Sequence, residues 1–195
     1  MTHLLFIFGR LKPHGDELYS TYLRGTIPIM QRYGVKVLAV GSGLNAPDLS
    51  EDQERWPVNA ILGFRDYNAY LAFFEDADYQ RIKTLYRDQA YELLNLYLMQ
   101  VEPHRYDADE LSALLSAREV LGISLHCGLD APSYQNMTSL LLSGQGRGED
   151  TPHVTQEVIR RYPHASLFSA DHAPPDTQEA RRLYYFINRP PRALS

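Results

Sequence analysis

The chain has 195 residues, a formal net charge of −5 and 44% apolar residues, and these values already exclude several classes of protein. Such a length suits one large domain or two small ones and is enough to bury a core. The acidic sequence contains no run of basic residues, so we expect no nucleic-acid partner. A single cysteine, Cys127, excludes an internal disulfide and a multi-cysteine metal site.

The N-terminal apolar run, Leu4 to Phe8, is short and follows no basic residue, whereas a signal peptide has a basic start and a longer apolar core. No stretch of the sequence approaches the roughly 20 apolar residues of a membrane span. The lone cysteine also fits a reducing compartment. These observations predict a cytoplasmic protein with no membrane partner.

The first hundred residues predict the order strand, helix, strand, strand, helix, strand. Asp16 is the predicted N-cap of the first helix, in which Gly25 and Pro28 are expected to bend or interrupt the chain. Asp66 and Asp76 are predicted N-caps of two further helical segments. The predicted strands cover residues 3–9, 35–40, 57–64 and 93–101.

The second half repeats part of this pattern. Arg160-Arg161-Tyr162-Pro163 leads into a strand, a loop and a strand, as Gln31-Arg32-Tyr33-Gly34 does in the first half. This match predicts an incomplete copy that lacks the final helix and strand. The predicted elements are a helix near 111–115, a strand over 120–127, a helix over 134–142, a Gly-rich loop over 143–150, a helix from Thr151 to about Tyr162, and strands over 165–170 and 183–187.

The predicted fold class is therefore α+β. Residues 1–102 form a complete ferredoxin-like βαββαβ unit, and residues 103–195 form a degenerate second ferredoxin-like half. A four-stranded sheet with helices on one face leaves its other face bare, and monomers rarely expose so large an apolar surface. Something must cover that face, either a second chain or the second half of this one.

Several short motifs of residues 3–102 carry a resemblance to a known family. They are Tyr19 and Tyr22, Tyr33-Gly34, Gly41-Ser42-Gly43, Phe64, Asp76-Ala77-Asp78-Tyr79-Gln80, and Ile82-Lys83. In these positions the chain resembles a bacterial family of domains of unknown function within the dimeric α+β barrel superfamily. The resemblance implies two ferredoxin-like sheets that meet face to face and close a barrel, as a homodimer or as an intramolecular pseudo-dimer.

The chain departs from the family pattern at three charged positions. Val40 stands where the family usually has an arginine, and Gly63 stands where it usually has an acidic residue. The family usually also has an arginine seven residues after Tyr79, where this chain has Tyr86, and Arg87 follows one place late. Any family-typical chemistry that uses these three charges is not expected here.

His126 is the predicted catalytic residue, because histidine titrates near neutral pH and can act as a general base. Cys127 follows it directly, but adjacent strand residues point to opposite faces, so the two are not expected to work as a pair. Asp171-His172 could orient a base or hold a metal, yet no HxH or HExxH spacing is present, and we expect no metal site.

Polar residues within the apolar strands predict a binding pocket. Asn59 interrupts the third strand, while Asn95 and Tyr97 share one face of the fourth. An apolar cavity with a few polar groups is typical of a ligand site, although these residues can equally form structural hydrogen bonds. Tyr22 and Arg10 are further candidates for the same substrate-binding cavity.

The superfamily includes cofactor-free oxygenases, cyclases and isomerases. The resemblance therefore implies a small enzyme that acts without cofactor on a mostly apolar organic molecule, with His126 or a tyrosine removing a proton. A non-catalytic binding or carrier protein with the same cavity is the alternative, and an interaction protein is a third possibility. A titratable group that faces the cavity would favour the enzyme over the binder.

Overall fold

The computed structural model describes residues 1–43, 58–101, 107–118, 120–126, 140–147, 151–169 and 182–189. Its strands are β1 (His3–Leu11), β2 (Lys36–Gly43), β3 (Val58–Phe64), β4 (Tyr91–Gln100), β5 (Val120–His126), β6 (Leu140–Gly146), β7 (His164–Ser169) and β8 (Arg182–Arg189). Its helices are α1 (Asp16–Arg32), α2 (Tyr67–Glu75), α3 (Ala77–Ile82), α4 (Asp88–Ala90), α5 (Ala108–Ser116) and α6 (Gln156–Arg161), and a π-helical turn (Lys83–Arg87) joins α3 to α4.

The eight strands form one closed antiparallel barrel in the order β1-β3-β2-β8-β5-β7-β6-β4. The first four strands lie in the order 4-1-3-2, and the last four repeat it as 8-5-7-6. This is the strand order of two ferredoxin-like sheets. The predicted α+β fold of the dimeric α+β barrel type is confirmed, and the barrel closes within a single chain.

The strand correspondence predicted from the internal repeat is wrong. The motif ending at Pro163 leads into β7, which holds the position of β3 in the barrel and not that of β2. The second half also contains all four strands of the unit, so it lacks no final strand. A short match between a helix end and a strand does not define the place of that strand in a sheet, because pairing partners lie far apart in sequence.

Successive side chains of a strand point to opposite faces of the sheet, so the apolar residues of the first half are divided between two cores. One core fills the barrel and combines residues of both halves, with Phe6, Phe8 and Tyr97 facing Leu121 and Leu167. Helices α5 and α6 add Leu111, Leu115, Val158 and Ile159 to it. The other core lies outside the barrel, between the first sheet and helices α1 to α3. Both faces of the first sheet are therefore covered.

Helix α1 runs unbroken through Gly25 and Pro28, against the prediction of an interruption. Gly25 serves close packing, because a Cβ atom there would lie 3.0 Å from Cδ1 of Ile82 in α3. Two predicted caps are confirmed: Asp66 accepts a hydrogen bond from the Ala69 amide, and Asp76 accepts one from the Tyr79 amide. The predicted cap at Asp16 is wrong, because Asp16 is the first residue of α1 and Gly15 precedes it without a side-chain cap hydrogen bond. No helix in the described ranges is long and apolar enough to cross a membrane.

The Gly-rich segment forms a strand where a loop was predicted. Residues 140–145 pair with β7, and Gly146 pairs with Met99 of β4, which closes the barrel. The predicted helix over 134–142 is wrong at 140–142, while residues 134–139 lie outside the described part. Gly146 provides close approach here and not flexibility, because a Cβ atom would lie 2.4 Å from the Tyr97 hydroxyl.

The helix predicted to start at Thr151 begins instead at Gln156. Thr155, the residue before this helix, makes two hydrogen bonds to Leu96 of β4. Its amide donates to the Leu96 carbonyl at 2.8 Å, and its hydroxyl accepts from the Leu96 amide at 2.9 Å. His153 adopts a positive φ of 67°. Tertiary pairing to β4 thus holds residues 151–155 out of the helix.

We predict that Gly146→Ala lowers the free energy of unfolding by about 1–3 kcal/mol, the usual effect of overpacking. The added methyl group would displace the Tyr97 hydroxyl, which donates a hydrogen bond to the Tyr162 carbonyl at 3.0 Å. Chemical denaturation of both proteins measures the loss. In a Tyr97→Phe background the same change should cost less, because the clashing oxygen is absent. Equal losses in the two backgrounds would contradict the packing argument.

Candidate functional site

A cavity of about 300 Å³ lies between the first sheet and its helices, on the outer side of the barrel wall, and we call it the helix-side cavity. Its walls are mainly apolar, and Leu23, 42% exposed, lies at its rim. The volume lies at the lower end of the range of small-molecule pockets. Apolar side chains of β1 to β4 and α1 that form its walls include Leu5, Ile7, Met30, Val37, Leu62 and Leu96.

Tyr19, Tyr22, Tyr79 and Tyr91 bring four phenol groups to this cavity. The rings of Tyr19 and Tyr91 meet edge to face at 5.6 Å, and the Tyr91 ring occupies the space that a side chain at Gly9 would need. Burial raises the pKa of Tyr19, Tyr79 and Tyr91. These three phenols therefore stay protonated at neutral pH, as hydrogen-bond donors and not as bases.

Arg87 brings a guanidinium group to the same cavity, although it is only 9% exposed. Its Nη1 donates a hydrogen bond to the Tyr79 hydroxyl at 3.0 Å. In a regular α-helix two turns cover about seven residues, so Tyr86 would lie on the face of Tyr79. The π-helical turn over Lys83–Arg87 widens the helix by one residue and places Arg87 on that face instead.

The π-helical turn therefore changes the interpretation of the sequence. The arginine that seemed one place late is buried against Tyr79, and the expectation that this charge is missing is wrong. A one-residue offset from a helical repeat was the signal in the sequence, since π-turns of this kind occur frequently at functional sites. The other two departures remain uncharged: Val40 lines the apolar wall, and Met1 fills the space beside Gly63.

Arg87 also pairs with Asp88 and is the one charged side chain in the wall of this cavity formed by described residues. Its Nε and Nη2 each lie 3.1 Å from Oδ1 of Asp88, while Nζ of Lys83 lies 2.7 Å from Oδ2. One carboxylate is thus shared between two cations. The cavity wall combines apolar groups, neutral phenols and one guanidinium.

The sheet separates the residues that the sequence singled out. Tyr22 lines the helix-side cavity, and its hydroxyl lies 3.4 Å from that of Tyr79. Asn59, Asn95 and Tyr97 belong instead to the face that lines the barrel interior, where Asn59 and Asn95 both pair with Phe8 in register. These three residues do not meet Tyr22.

The remaining predicted site residues lie away from the helix-side cavity or beyond the described side chains. Nε of Arg10 pairs with the Glu92 carboxylate at 3.0 Å on the partly exposed side of β1. His126 ends β5 and pairs through its backbone with His164, and its side chain lies outside the described part. The part of the chain that the structure does not describe also includes Cys127, Asp171 and His172. In the described ranges no cluster of His, Cys, Asp or Glu could hold a metal ion.

His3, like Arg87, is a buried titratable residue that was not among the predicted site residues. The single hydroxyl hydrogen of Thr2 is donated to the Arg65 carbonyl at 3.0 Å, so the same hydroxyl accepts from Nδ1–H of His3 at 2.9 Å. The other ring nitrogen, Nε2, is then an unprotonated acceptor, and it has no hydrogen-bond partner among the described residues. Burial, together with the positive charge of Arg147, lowers the pKa of His3 to about 4.

The closed barrel with its helix-side cavity defines the class: an α+β barrel protein with a small apolar pocket. Residues 5–100 match the family described as "Domain of unknown function (DUF1330)". No curated protein matches the chain. The resemblance seen in the sequence is confirmed for these residues.

Solved structures resemble the chain only distantly. A protein of unknown function from Rhodopseudomonas palustris, RPA0582, is 23% identical with a TM-score of 0.46, over 52% of this chain and 83% of its own. A NIPSNAP domain protein from Burkholderia xenovorans is 12% identical with a TM-score of 0.39, over 55% of this chain and 100% of its own. A candidate monooxygenase from Lactobacillus acidophilus NCFM is 11% identical with a TM-score of 0.44, over 96% of this chain and 94% of its own. Similarities at this level support no conclusion about activity.

We predict that His3 makes the protein less stable in acid. Between the folded pKa of about 4 and the ordinary value of 6.5, the unfolded chain binds a proton that the folded chain excludes. The free energy of unfolding should therefore fall as the pH falls through this window, by up to about 3 kcal/mol. Denaturation at several pH values should show a smaller fall in His3→Gln. An identical fall in both proteins would contradict the prediction.

Proposed function

We propose that the protein binds one small, mostly apolar organic molecule in the helix-side cavity. The observation that carries this proposal is the cavity itself, about 300 Å³ in volume, with apolar walls and a few converging polar groups. Ligand sites commonly combine such walls with a small number of polar groups that orient the ligand. The partly exposed Leu23 at the rim lies where a ligand would enter.

Binding without catalysis is the activity that the described wall supports best. A proton-abstracting enzyme needs a base whose pKa lies near the working pH. The described lining contains no carboxylate, histidine or thiol, and burial raises the pKa of three of its four phenols. Arg87 and Tyr79 can donate hydrogen bonds to a ligand, but neither accepts a proton at neutral pH.

A cofactor-independent enzyme of the oxygenase, cyclase or isomerase type is the second candidate. One observation favours it: the buried contact between Arg87 and Tyr79, since hydrogen-bond donors in a water-poor site can stabilise a developing oxyanion. The base would then come from the substrate or from outside this wall, and His126 stays the predicted candidate. Recovery of a bound molecule unchanged after long incubation would favour the binder, and its conversion would favour the enzyme.

We predict that a neutral apolar dye, N-phenyl-1-naphthylamine, binds in this cavity and gains fluorescence there. Ala60→Phe places a ring in the space that Ala60 lines and should weaken dye binding at least tenfold, because the ligand volume is filled. Fluorescence titration at constant protein concentration measures both affinities.

Ala113→Phe is the matched control, because Ala113 is an exposed residue of α5 outside the cavity wall. It should bind the dye as the unchanged protein does, and thermal melts of both variants report their folding. Val37→Phe fills the same space from β2 and repeats the test if Ala60→Phe does not fold. Unchanged dye binding in a folded cavity-filling variant would refute the proposed site.

A further inference from the structure

The charge at Arg87 is not fully neutralised by its protein partners. Asp88 offers one carboxylate, and both of its oxygens are engaged, Oδ1 by Arg87 and Oδ2 by Lys83. Two cations therefore share one anion, which leaves the group with a net positive charge. Of these three residues only Arg87 lines the cavity, so the excess charge faces the apolar space.

The guanidinium also retains hydrogen-bond donors for a ligand. Nη1 and Nη2 each carry two hydrogens. Nη1 is 3.0 Å from the Tyr79 hydroxyl and Nη2 is 3.1 Å from Asp88. In the described part of the chain one hydrogen on each nitrogen is therefore left without an acceptor. Two adjacent N–H groups of one guanidinium match the two oxygens of a carboxylate.

The neighbouring phenols add donors and no strong acceptor. The Tyr79 hydroxyl accepts a hydrogen bond from Arg87, so its own hydrogen can be donated. The Tyr22 hydroxyl, 3.4 Å away, is too distant to bond it strongly. Both hydroxyls line the cavity. A polar ligand group beside them has to accept hydrogen bonds, and a negative charge suits the unneutralised cation.

We propose that the ligand of the helix-side cavity is a monocarboxylate with a compact apolar body, whose carboxylate pairs with Arg87 and accepts from Tyr79. This inference rests on the proposed function and adds the chemical class of the ligand. A dianionic phosphate fits less well, because a second negative charge would be buried against apolar walls without a second cation. The apolar walls hold the hydrocarbon body.

Octanoate and 1-octanol test the proposal, because they share the hydrocarbon chain and differ in the carboxylate. Displacement of N-phenyl-1-naphthylamine at pH 8, where octanoate is ionised, gives both affinities. Octanoate should bind about 10–100-fold more tightly than octanol, the effect of a charge-assisted hydrogen-bonded pair. Arg87→Met keeps an apolar chain of similar length and should bring the ratio of the octanol and octanoate dissociation constants, measured within that variant, to about one.

Arg81→Met is the matched control, since Arg81 lies in the preceding helix and pairs with Asp78 with 70% of its side chain exposed. It removes the same charge and should keep the octanoate preference. Equal binding of octanoate and octanol to the unchanged protein would overturn the inference, as would a preference that survives in Arg87→Met. Dye binding without displacement by octanoate would overturn it too.

Two features of this experiment separate its failure from that of the proposed function. If the dye does not bind, or binds equally to Ala60→Phe, the cavity is not a ligand site and both proposals fail. If the dye binds there without a preference for octanoate, only the carboxylate proposal fails. The comparison of octanoate with octanol in the unchanged protein does not depend on the folding of any variant.

Discussion

Both faces of the first sheet are apolar, and water has to be excluded from each of them. Helices α1 to α3 cover the outer face, and the second sheet covers the inner face by closing the barrel through β2–β8 and β4–β6. The β4–β6 contact is short and involves Met99–Gly146 and Gln100–Gln145. It is extended by the amides of Arg147 and Thr155, which bond the Leu98 and Leu96 carbonyls. The interior core depends on this closure.

Two covered faces also mean two separate environments for polar residues. On the inner face the Tyr97 hydroxyl donates a hydrogen bond to the Tyr162 carbonyl, within a core to which both halves of the chain contribute side chains. On the outer face the helices leave an open volume, and Arg87 reaches it because the π-helical turn inserts one residue. The position of one side chain relative to a helical repeat thus decides whether the cavity holds a charge.

The sequence predicted the fold well where local patterns decide it. Apolar runs located most strands, Asp66 and Asp76 located helix starts, and the βαββαβ order indicated the barrel. The prediction failed where a distant part of the chain determines the local structure. Gly144 and Gly146 were predicted to lie in a loop, but they pair with β7 and β4. Thr155 was predicted to lie in a helix, but its hydroxyl accepts a hydrogen bond from β4 just before α6 begins. Of the predicted site residues only Tyr22 lines the helix-side cavity, and Arg87 reaches it through a π-helical turn, for which the only signal in the sequence was a one-residue offset from the helical repeat.

The closure of the barrel within one polypeptide has a consequence for how the chain is made. Val40 of β2 pairs with Arg189 of β8, which follows it by 149 residues along the chain (189 minus 40). The β4 edge of the first sheet stays unpaired until β6 is made and the β2 edge until β8 is made, and unpaired edges can pair with other chains. Contacts between such distant residues slow folding. During translation the first sheet therefore has open edges at β4 and β2 until the later strands β6 and β8 have been synthesised.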